Sequence, residues 1–225
     1  MPMKYDDIVV IVPAYNAEST IRELINEIIR NGFDREDIVI INDGSRDHTA
    51  QIAREQKVIL CAHEKNLGKG MALRSGIDRA RSMNKKKVIT MDADGQHDPE
   101  EIKVFMAHKN DYDLIIGQRI DRMNMPVLRR LVNRTTSLVV SLLCGHFIPD
   151  VQCGFRMIDL QIFNRIKLVT ANYQTESELV IKAVRQGFRV GTVSVATRYN
   201  NEKSYIRPFV DTVRFVKMAV RSLWV

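Results

Sequence analysis

Asp92-Ala93-Asp94 is the segment of this chain best suited to hold a divalent cation. Side chains two apart on an extended stretch point the same way, so the two carboxylates offer paired hard oxygen ligands. A pair of that kind leaves coordination positions open, which suits Mg²⁺ or Mn²⁺ held jointly with a diphosphate. Gln96 can add a neutral oxygen, and His97 beside it reads as a structural hydrogen-bonding residue, because magnesium sites prefer oxygen. An isolated Asp-x-Asp is also an ordinary loop pattern. This one has company: Pro13-Ala14-Tyr15-Asn16, Asn42-Asp43-Gly44-Ser45 and Gln118-Arg119 are polar clusters that likewise follow strand-like runs.

Those clusters need elements to bring them together. Ile8 to Pro13 is a continuous apolar run of strand length with polar flanks, as in a strand buried on both faces. Asp37 to Asn42, Val58 to Ala62, Lys87 to Met91 and Leu114 to Gly117 read as four more strands. Between them lie helical segments. The first has Ile21, Leu24, Ile25, Ile28 and Ile29 on one stripe, with Thr20 and Glu23 at capping-box spacing. Another is announced by Asp98-Pro99-Glu100-Glu101, an N-cap followed by proline at the first helical position. Strands alternating with helices predict an α/β fold with an open, mostly parallel twisted sheet, whose ligands bind beyond the carboxyl ends of the strands. Each polar cluster sits at such an end, so together they should form one site.

Composition narrows the alternatives. The 225 residues are 45% hydrophobic and 27% charged, which suits one globular unit and argues against disorder. Apolar stretches fall short of the roughly 20 residues that cross a bilayer. The N-terminal residues lack the apolar run of a secretory signal, so a cytoplasmic location is expected. Cys61, Cys144 and Cys153 form neither a disulfide framework nor a zinc pattern and read as reduced thiols. Gly68-Lys69-Gly70 is only a fragment of a P-loop or dinucleotide fingerprint, so a kinase or nicotinamide enzyme is not expected. The net charge of +7 is uneven: residues 1–112 carry 17 Lys+Arg against 19 Asp+Glu, and residues 113–225 carry 17 against 8. The second half therefore faces something anionic, either phosphates, an acidic membrane surface or nucleic acid. Nucleic acid is set aside, because no aromatic stacking platform or reading helix accompanies the charge.

Six segments in order, Val-Pro-Ala-Tyr-Asn, Asn-Asp-Gly-Ser, Asn-Leu-Gly-Lys-Gly, Asp-Ala-Asp-Gly-Gln-His-Asp-Pro-Glu, Gly-Gln-Arg and Asp150-Val-Gln-Cys-Gly-Phe-Arg156, resemble family 2 glycosyltransferases. More narrowly, the chain resembles polyprenyl-phosphate sugar transferases such as dolichol-phosphate mannosyltransferase. The resemblance runs from about Ile8 to Phe215 and includes Asn201-Glu202-Lys203-Ser204. It implies the GT-A fold and an inverting, metal-dependent transfer of a hexose from a GDP- or UDP-sugar to a polyprenyl phosphate at the cytoplasmic membrane face. Pro13, Tyr15, Asn16, Glu18, Asp43, Lys69, Asp92 and Asp94 would then hold the nucleotide-sugar, and Asp92, Asp94 and Gln96 the metal. Arg119, Arg129, Asn133, Lys203 and Ser204 would meet the acceptor phosphate, with Asp150, Asp94 and Arg156 at the catalytic centre. Relatives often have Glu after the Tyr-Asn and Asp before Asp-Gly-Ser, whereas this chain has Ala17 and Asn42, with Glu18 as a substitute. The expected division is residues 1–118 as nucleotide-binding half, 119–206 as acceptor half and 207–225 as a C-terminal helix.

Two segments of the second half are amphipathic and basic. From Pro126 to Gly145, Leu128, Leu131, Val132, Val139, Leu142 and Leu143 recur at helical spacing, and Arg130, Asn133, Arg134 and Ser137 share another face. From Arg207 to Val225, Phe209, Val210, Val213, Val216, Val220, Leu223 and Trp224 alternate with Arg207, Arg214, Lys217 and Arg221. Each reads as a membrane-surface helix or as a core helix with a solvated basic face. Arg156 either serves the phosphates or pairs with Asp150 or Asp159. A phosphate nucleophile is already ionised and needs little general base, whereas a sugar hydroxyl acceptor would make Asp150 the natural base. A transferase with a saccharide or protein acceptor, and a non-catalytic nucleotide-sugar or membrane-binding module, remain the other readings.

Overall fold

The computed structural model describes residues 5–120, 127–198 and 208–222, the side chains of 127–129, 208–211 and 221–222 excepted. The described residues form seven strands: β1 (Ile8–Ala14), β2 (Ile38–Asn42), β3 (Ile59–Ala62), β4 (Lys87–Thr90), β5 (Leu114–Arg119), β6 (Arg156–Asp159) and β7 (Val190–Val195). They form one sheet in the order β3-β2-β1-β4-β6-β5-β7. All neighbours are parallel except β6, which runs antiparallel to both β4 and β5. Around the sheet lie α1 (Ile21–Arg30), α2 (Thr49–Glu55), α3 (Lys69–Ser82), α4 (Ile102–Ala107), α5 (Val127–Cys144), α6 (Gln174–Arg185) and α7 (Pro208–Ser222).

The apolar runs behave as their composition requires. Every residue of β2, and all of β1 but Pro13, is buried, which is the environment of a parallel strand covered on both faces. Helix α1 buries Ile21, Leu24, Ile25 and Ile28, the stripe that its periodicity marks. Its expected capping box does not form. Thr20 makes no cap and instead donates through Oγ1 to the carbonyl of Ala93 at 2.5 Å, tying the start of α1 to the loop after β4. The start of the α4 segment does follow the sequence: Asp98 accepts from the backbone N–H of Glu100, with Pro99 in the first turn.

The antiparallel β6 shapes the site. Register pairs Thr90 with Arg156 and Ile116 with Arg156, so the start of β6 lies at the edge where β4 and β5 end. The loop that enters β6, carrying Asp150 and Gly154, is thereby laid over the carboxyl ends of the parallel strands. Residues of the second half thus complete a sheet that the first half begins.

Helix α5 reverses the usual amphipathic arrangement. Asn133, Thr136 and Ser137 are buried, whereas Leu131, Leu138 and Leu142 are 58–74% exposed. The expected grouping of Arg130, Asn133, Arg134 and Ser137 on one face is corrected accordingly: Asn133 and Ser137 turn inward, and Arg134 is exposed. The inward hydroxyls have work to do at the Asp150 loop. Ser137 accepts from the N–H of Val151, Ser141 from the N–H of Ile148, and Thr136 from the side-chain amide of Gln152. Helix α7 buries Met218 and exposes Val213, Val216 and Val220 beside Arg214 and Lys217. Among the described residues no helix is long and apolar enough to cross a membrane.

Candidate active site

The loops after β1 and β2 are stitched to each other. Asn16 takes a left-handed φ of 51°. Its N–H donates to Ser45 Oγ at 2.9 Å, and its Oδ1 accepts from the N–H of Arg46 at 2.9 Å. The N–H of Ala17 donates to Thr49 Oγ1, and Asn42 Oδ1 accepts from the N–H of Ser45. Glu18 lies at the surface, where its carboxylate accepts from the backbone N–H of His48 and meets the ring Nδ1 at 2.8 Å. Those hydrogen bonds with His48 hold the Glu18 carboxyl below its usual value. Pro13 and Tyr15 are half-buried at the same edge.

Asp43 organises the next loop. It is 3% exposed, and its carboxylate accepts from the N–H groups of Leu67 and Gly68 at 2.9 Å each while Oδ1 meets His63 Nδ1 at 2.7 Å. Ser75 completes the chain at His63 Nε2. A buried carboxylate so engaged is fully hydrogen-bonded, as burial demands. Its direct effect is to fix the path of residues 63–68 and so to place Lys69.

Gly68 and Gly70 explain their own presence by close approach. A Cβ on Gly70 would stand 2.0 Å from Thr175 Oγ1 and 2.7 Å from the carbonyl carbon of Ala171, and one on Gly68 would meet Asn172 Oδ1 at 2.5 Å. The Gly-Lys-Gly segment therefore packs the start of α3 against the start of α6. Lys69, between them, reaches Asp92 Oδ1 at 2.6 Å and Glu176 Oε1 at 3.1 Å. Burial works against both charges, yet the two carboxylates hold the Lys69 ammonium above its usual pKa, and Lys69 with His97 holds Asp92 well below the carboxylate range.

Gly154 makes room for Asp92, since a Cβ there would come within 2.4 Å of Asp92 Oδ2. Asp94 closes a turn by accepting from the N–H of Gln96 at 3.0 Å, with Gly95 at φ +69° between them. Gln96 and His97 are buried, and Thr197 and Arg198 from the segment after β7 clamp this loop through a bridge to His97 and a bond to the Gln96 carbonyl. The expected hydrogen-bonding role of His97 is corrected: neither ring nitrogen has a hydrogen-bond partner among the described residues. Nε2 stands 3.5 Å from Asp92 Oδ2 and the ring lies 5.2 Å from that of Phe155.

From the second half, Asp150 and Arg119 form a buried pair. Arg119 Nε and Nη2 each donate to one carboxylate oxygen of Asp150 at 2.8 Å, and the residues are 4% and 1% exposed. Arg156 forms neither expected ion pair: Asp150 is taken by Arg119, and Asp159 by Lys87 at 2.8 Å. Instead its guanidinium, 1% exposed, donates to the carbonyls of Val151, Cys153 and Glu176. Arg156 so braces the Asp150–Gly154 loop against α6. Asn133 is buried on α5, while Lys203, Ser204 and the side chain of Arg129 lie outside the described residues. Burial beside the Asp150 charge pushes the Cys153 thiol up to about 12, which leaves it inert.

The donors present suit a hard divalent cation. Asp92 and Asp94 are carboxylates at one strand end, Asp94 accepts from the backbone N–H of Gln96 through Oδ1, and Gln96 adds an amide. Among the described residues no group of three or more His, Cys, Asp or Glu is placed to enclose a metal alone, so remaining positions would fall to a bound diphosphate or water. Glu176 and Gly154 are the site residues that sequence reasoning missed. Gly154 stood inside a recognised motif, and its signal was the need for a residue without Cβ.

Residues 9–167 match the model of Glycosyl transferase family 2. Among curated proteins, an uncharacterised protein of Methanocaldococcus jannaschii is 35% identical over 86% of this chain and 82% of its own length. A UDP-N-acetylglucosamine–dolichyl-phosphate N-acetylglucosaminyltransferase of Methanococcus voltae is 32% identical over 85% of this chain and 86% of its own. Among solved structures, the glucosyl-3-phosphoglycerate synthase of Mycobacterium tuberculosis in complex with UDP superposes with a TM-score of 0.79 at 17% identity, over 97% of this chain and 80% of that one. The sheet order, the strand-end site and the family match converge on one assignment: the chain belongs to glycosyl transferase family 2 and has the GT-A fold.

Proposed function

We propose that this glycosyltransferase moves a hexose from a GDP- or UDP-sugar to a polyprenyl phosphate at a cytoplasmic membrane surface, with inversion at the anomeric carbon. The observation that carries this reading is the pairing of Asp92 and Asp94 at the end of β4 with the α5-supported Asp150 loop, which holds the Arg119 guanidinium at the same edge. Asp92, Asp94 and Gln96 would hold Mg²⁺ or Mn²⁺, which supplies charge neutralisation on the departing diphosphate. Pro13, Tyr15, Asn16 and Asp43 shape the nucleoside side, Asp43 by fixing the loop that delivers Lys69.

The acceptor argument is electrostatic. Bringing a phosphate monoester to a sugar nucleotide is repulsive, and cationic groups must offset that. Arg119, Arg129, Asn133, Lys203 and Ser204 are the proposed acceptor residues, and Arg119 is oriented by Asp150. Both carboxylate oxygens of Asp150 are engaged by the Arg119 guanidinium, so neither is turned toward an acceptor hydroxyl. That favours a nucleophile that arrives ionised, such as a phosphate oxygen, over a sugar hydroxyl. Arg156 acts by positioning. The exposed leucines of α5 and valines of α7, flanked by Arg134, Arg214 and Lys217, suit an anionic lipid surface. Relatives named for dolichyl phosphate include the M. voltae protein above and a dolichyl-phosphate hexose transferase of Haloferax volcanii, 27% identical over 96% of this chain and 94% of its own. The former is named for a UDP-sugar, so UDP-sugars come first in any donor panel.

Transfer of label from UDP- and GDP-sugars to a short polyprenyl phosphate, with and without Mn²⁺ or Mg²⁺, tests the proposal. A metal-dependent lipid-linked sugar is expected. Product on a saccharide or protein, with none on the lipid, would move the acceptor assignment elsewhere.

A further inference from the structure

We propose that Glu176 is a positioning residue that keeps Lys69 as a movable counter-ion of Asp92. When a divalent cation takes the Asp92 carboxylate, the ammonium withdraws to Glu176. The inference rests on the metal site proposed above and concerns how that site is kept ready.

Lys69 Nζ sits between two carboxylates, 2.6 Å from Asp92 Oδ1 and 3.1 Å from Glu176 Oε1. Asp92 Oδ2, the other oxygen, faces His97 Nε2 at 3.5 Å and is covered by Gly154. Both oxygens of the first expected metal ligand are thus near a nitrogen before any metal arrives. A cation entering at Asp92 meets the Lys69 ammonium as a like charge at close range. If Lys69 had no second partner, displacing it would leave a nearly buried ammonium uncompensated, which is costly.

Glu176 supplies that partner. Its side chain is 7% exposed, it stands in the first turn of α6, and its own carbonyl accepts from Arg156. The close packing at Gly68 and Gly70 fixes α3 to this turn, so the Lys69–Glu176 distance is set by the backbone. The Tyr173 ring lies 5.9 Å from Nζ on the same side and adds a favourable face for the cation. Charge balance agrees: Lys69 and Glu176 neutralise each other once paired, and Asp92 and Asp94 keep two negative charges for one divalent cation.

The test is the affinity of the full chain for Mn²⁺ alone, read by electron paramagnetic resonance of the free ion without nucleotide. Lys69→Met should bind Mn²⁺ about tenfold more tightly, the scale of groups that act behind a metal ligand. Glu176→Gln should bind about tenfold more weakly, because Lys69 then has only Asp92. In the presence of Lys69→Met, adding Glu176→Gln should change affinity by less than about twofold, since Glu176 acts only through Lys69. If Glu176→Gln weakens Mn²⁺ equally with and without Lys69→Met, the counter-ion role is wrong and Glu176 is a fold residue. Should Glu176→Gln not fold, Glu176→Asp, which draws the carboxylate back, must show the same sign and the same dependence on Lys69. Absence of Mn²⁺ binding by the unmodified chain, with UDP or without it, would instead overturn the metal site and this inference together.

Discussion

At the carboxyl edge of β1, β2 and β4, polar groups hold one another; on the outer faces of α5 and α7, apolar groups face away from the protein. Asp43, Asn16, Asp92 and Asp150 each have named partners in the first region. In the second, Leu131, Leu138 and Leu142 are exposed while the hydroxyls of Thr136, Ser137 and Ser141 turn inward. The difference teaches that α5 is oriented by the loop it must hold rather than by the burial of its leucines. Four neutral polar side chains along its inner face, Asn133, Thr136, Ser137 and Ser141, secure residues 148–152 or lie buried on that face, and the leucines take what remains.

The comparison can be broken at its strongest point first. Arg119→Ala leaves the Asp150 charge buried without its bidentate partner and should lower unfolding stability by about 3–5 kcal/mol in urea titration. Loss of less than about 1 kcal/mol would mean that water reaches Asp150 and that this region is not the closed polar network described. Asp92→Ala should reduce sugar transfer at least about a hundredfold while the far-ultraviolet circular dichroism stays unchanged. Retained transfer would remove Asp92 from the reaction.

A third experiment uses pH. Glu178 is buried, which opposes its ionisation, but Lys182, the Thr170 hydroxyl and the N–H groups of Thr170 and Val169 outweigh that and hold its pKa below the usual value. A depressed carboxyl stabilises the fold above the unfolded-chain pKa of about 4.3 and loses that contribution as pH falls through the folded value. Glu178→Gln should therefore cost about 1–2 kcal/mol at pH 7 and progressively less as the pH falls below the unfolded-chain value, by urea unfolding across that range. A pH-independent difference would show that packing, not charge, is lost. The smallest effect belongs to the outer face. Leu138→Ser or Leu142→Ser should leave stability within about 0.5 kcal/mol. Each should nonetheless weaken partition onto anionic vesicles about tenfold. A large loss of stability would show that these leucines pack on protein.

The sequence made β1, β2, β4 and β5 legible because parallel strands buried on both faces must be largely apolar, and the half-buried edge strand β3 carried a shorter apolar run. Arg156-Met-Ile-Asp159 had no such mark. It is four residues long, begins and ends with charge, and becomes a strand because β4 and β5 pair with it from either side. The motif residues at strand ends were readable by type, since topology forces them together. Their pairings were not: Arg119 and Asp150 each suggested a separate role, and only the fold brings them to 2.8 Å. Thr20 had the spacing of a cap but found a carbonyl nearly a whole domain half away. Glu176 sits far along the chain from Lys69, and its partner followed from glycine packing that spacing does not report. For α5, periodicity marked an amphipathic helix but put Arg134 on one face with Asn133 and Ser137, whereas the fold buries the latter two and exposes the arginine.

The insertion of β6 between β4 and β5 also sets an order of assembly. Until residues 156–159 exist, β4 presents an unpaired edge and β5 has no neighbour linking it to the sheet that β1–β4 have begun. Closure therefore waits on a contact between segments distant in sequence, the kind that slows folding and leaves a strand edge open to other chains in the interval. The newly made N-terminal half is for that reason the stage at which this protein is most exposed to aggregation, and substitutions at Met157 or Ile158 should lower the yield of folded protein before they touch any catalytic property.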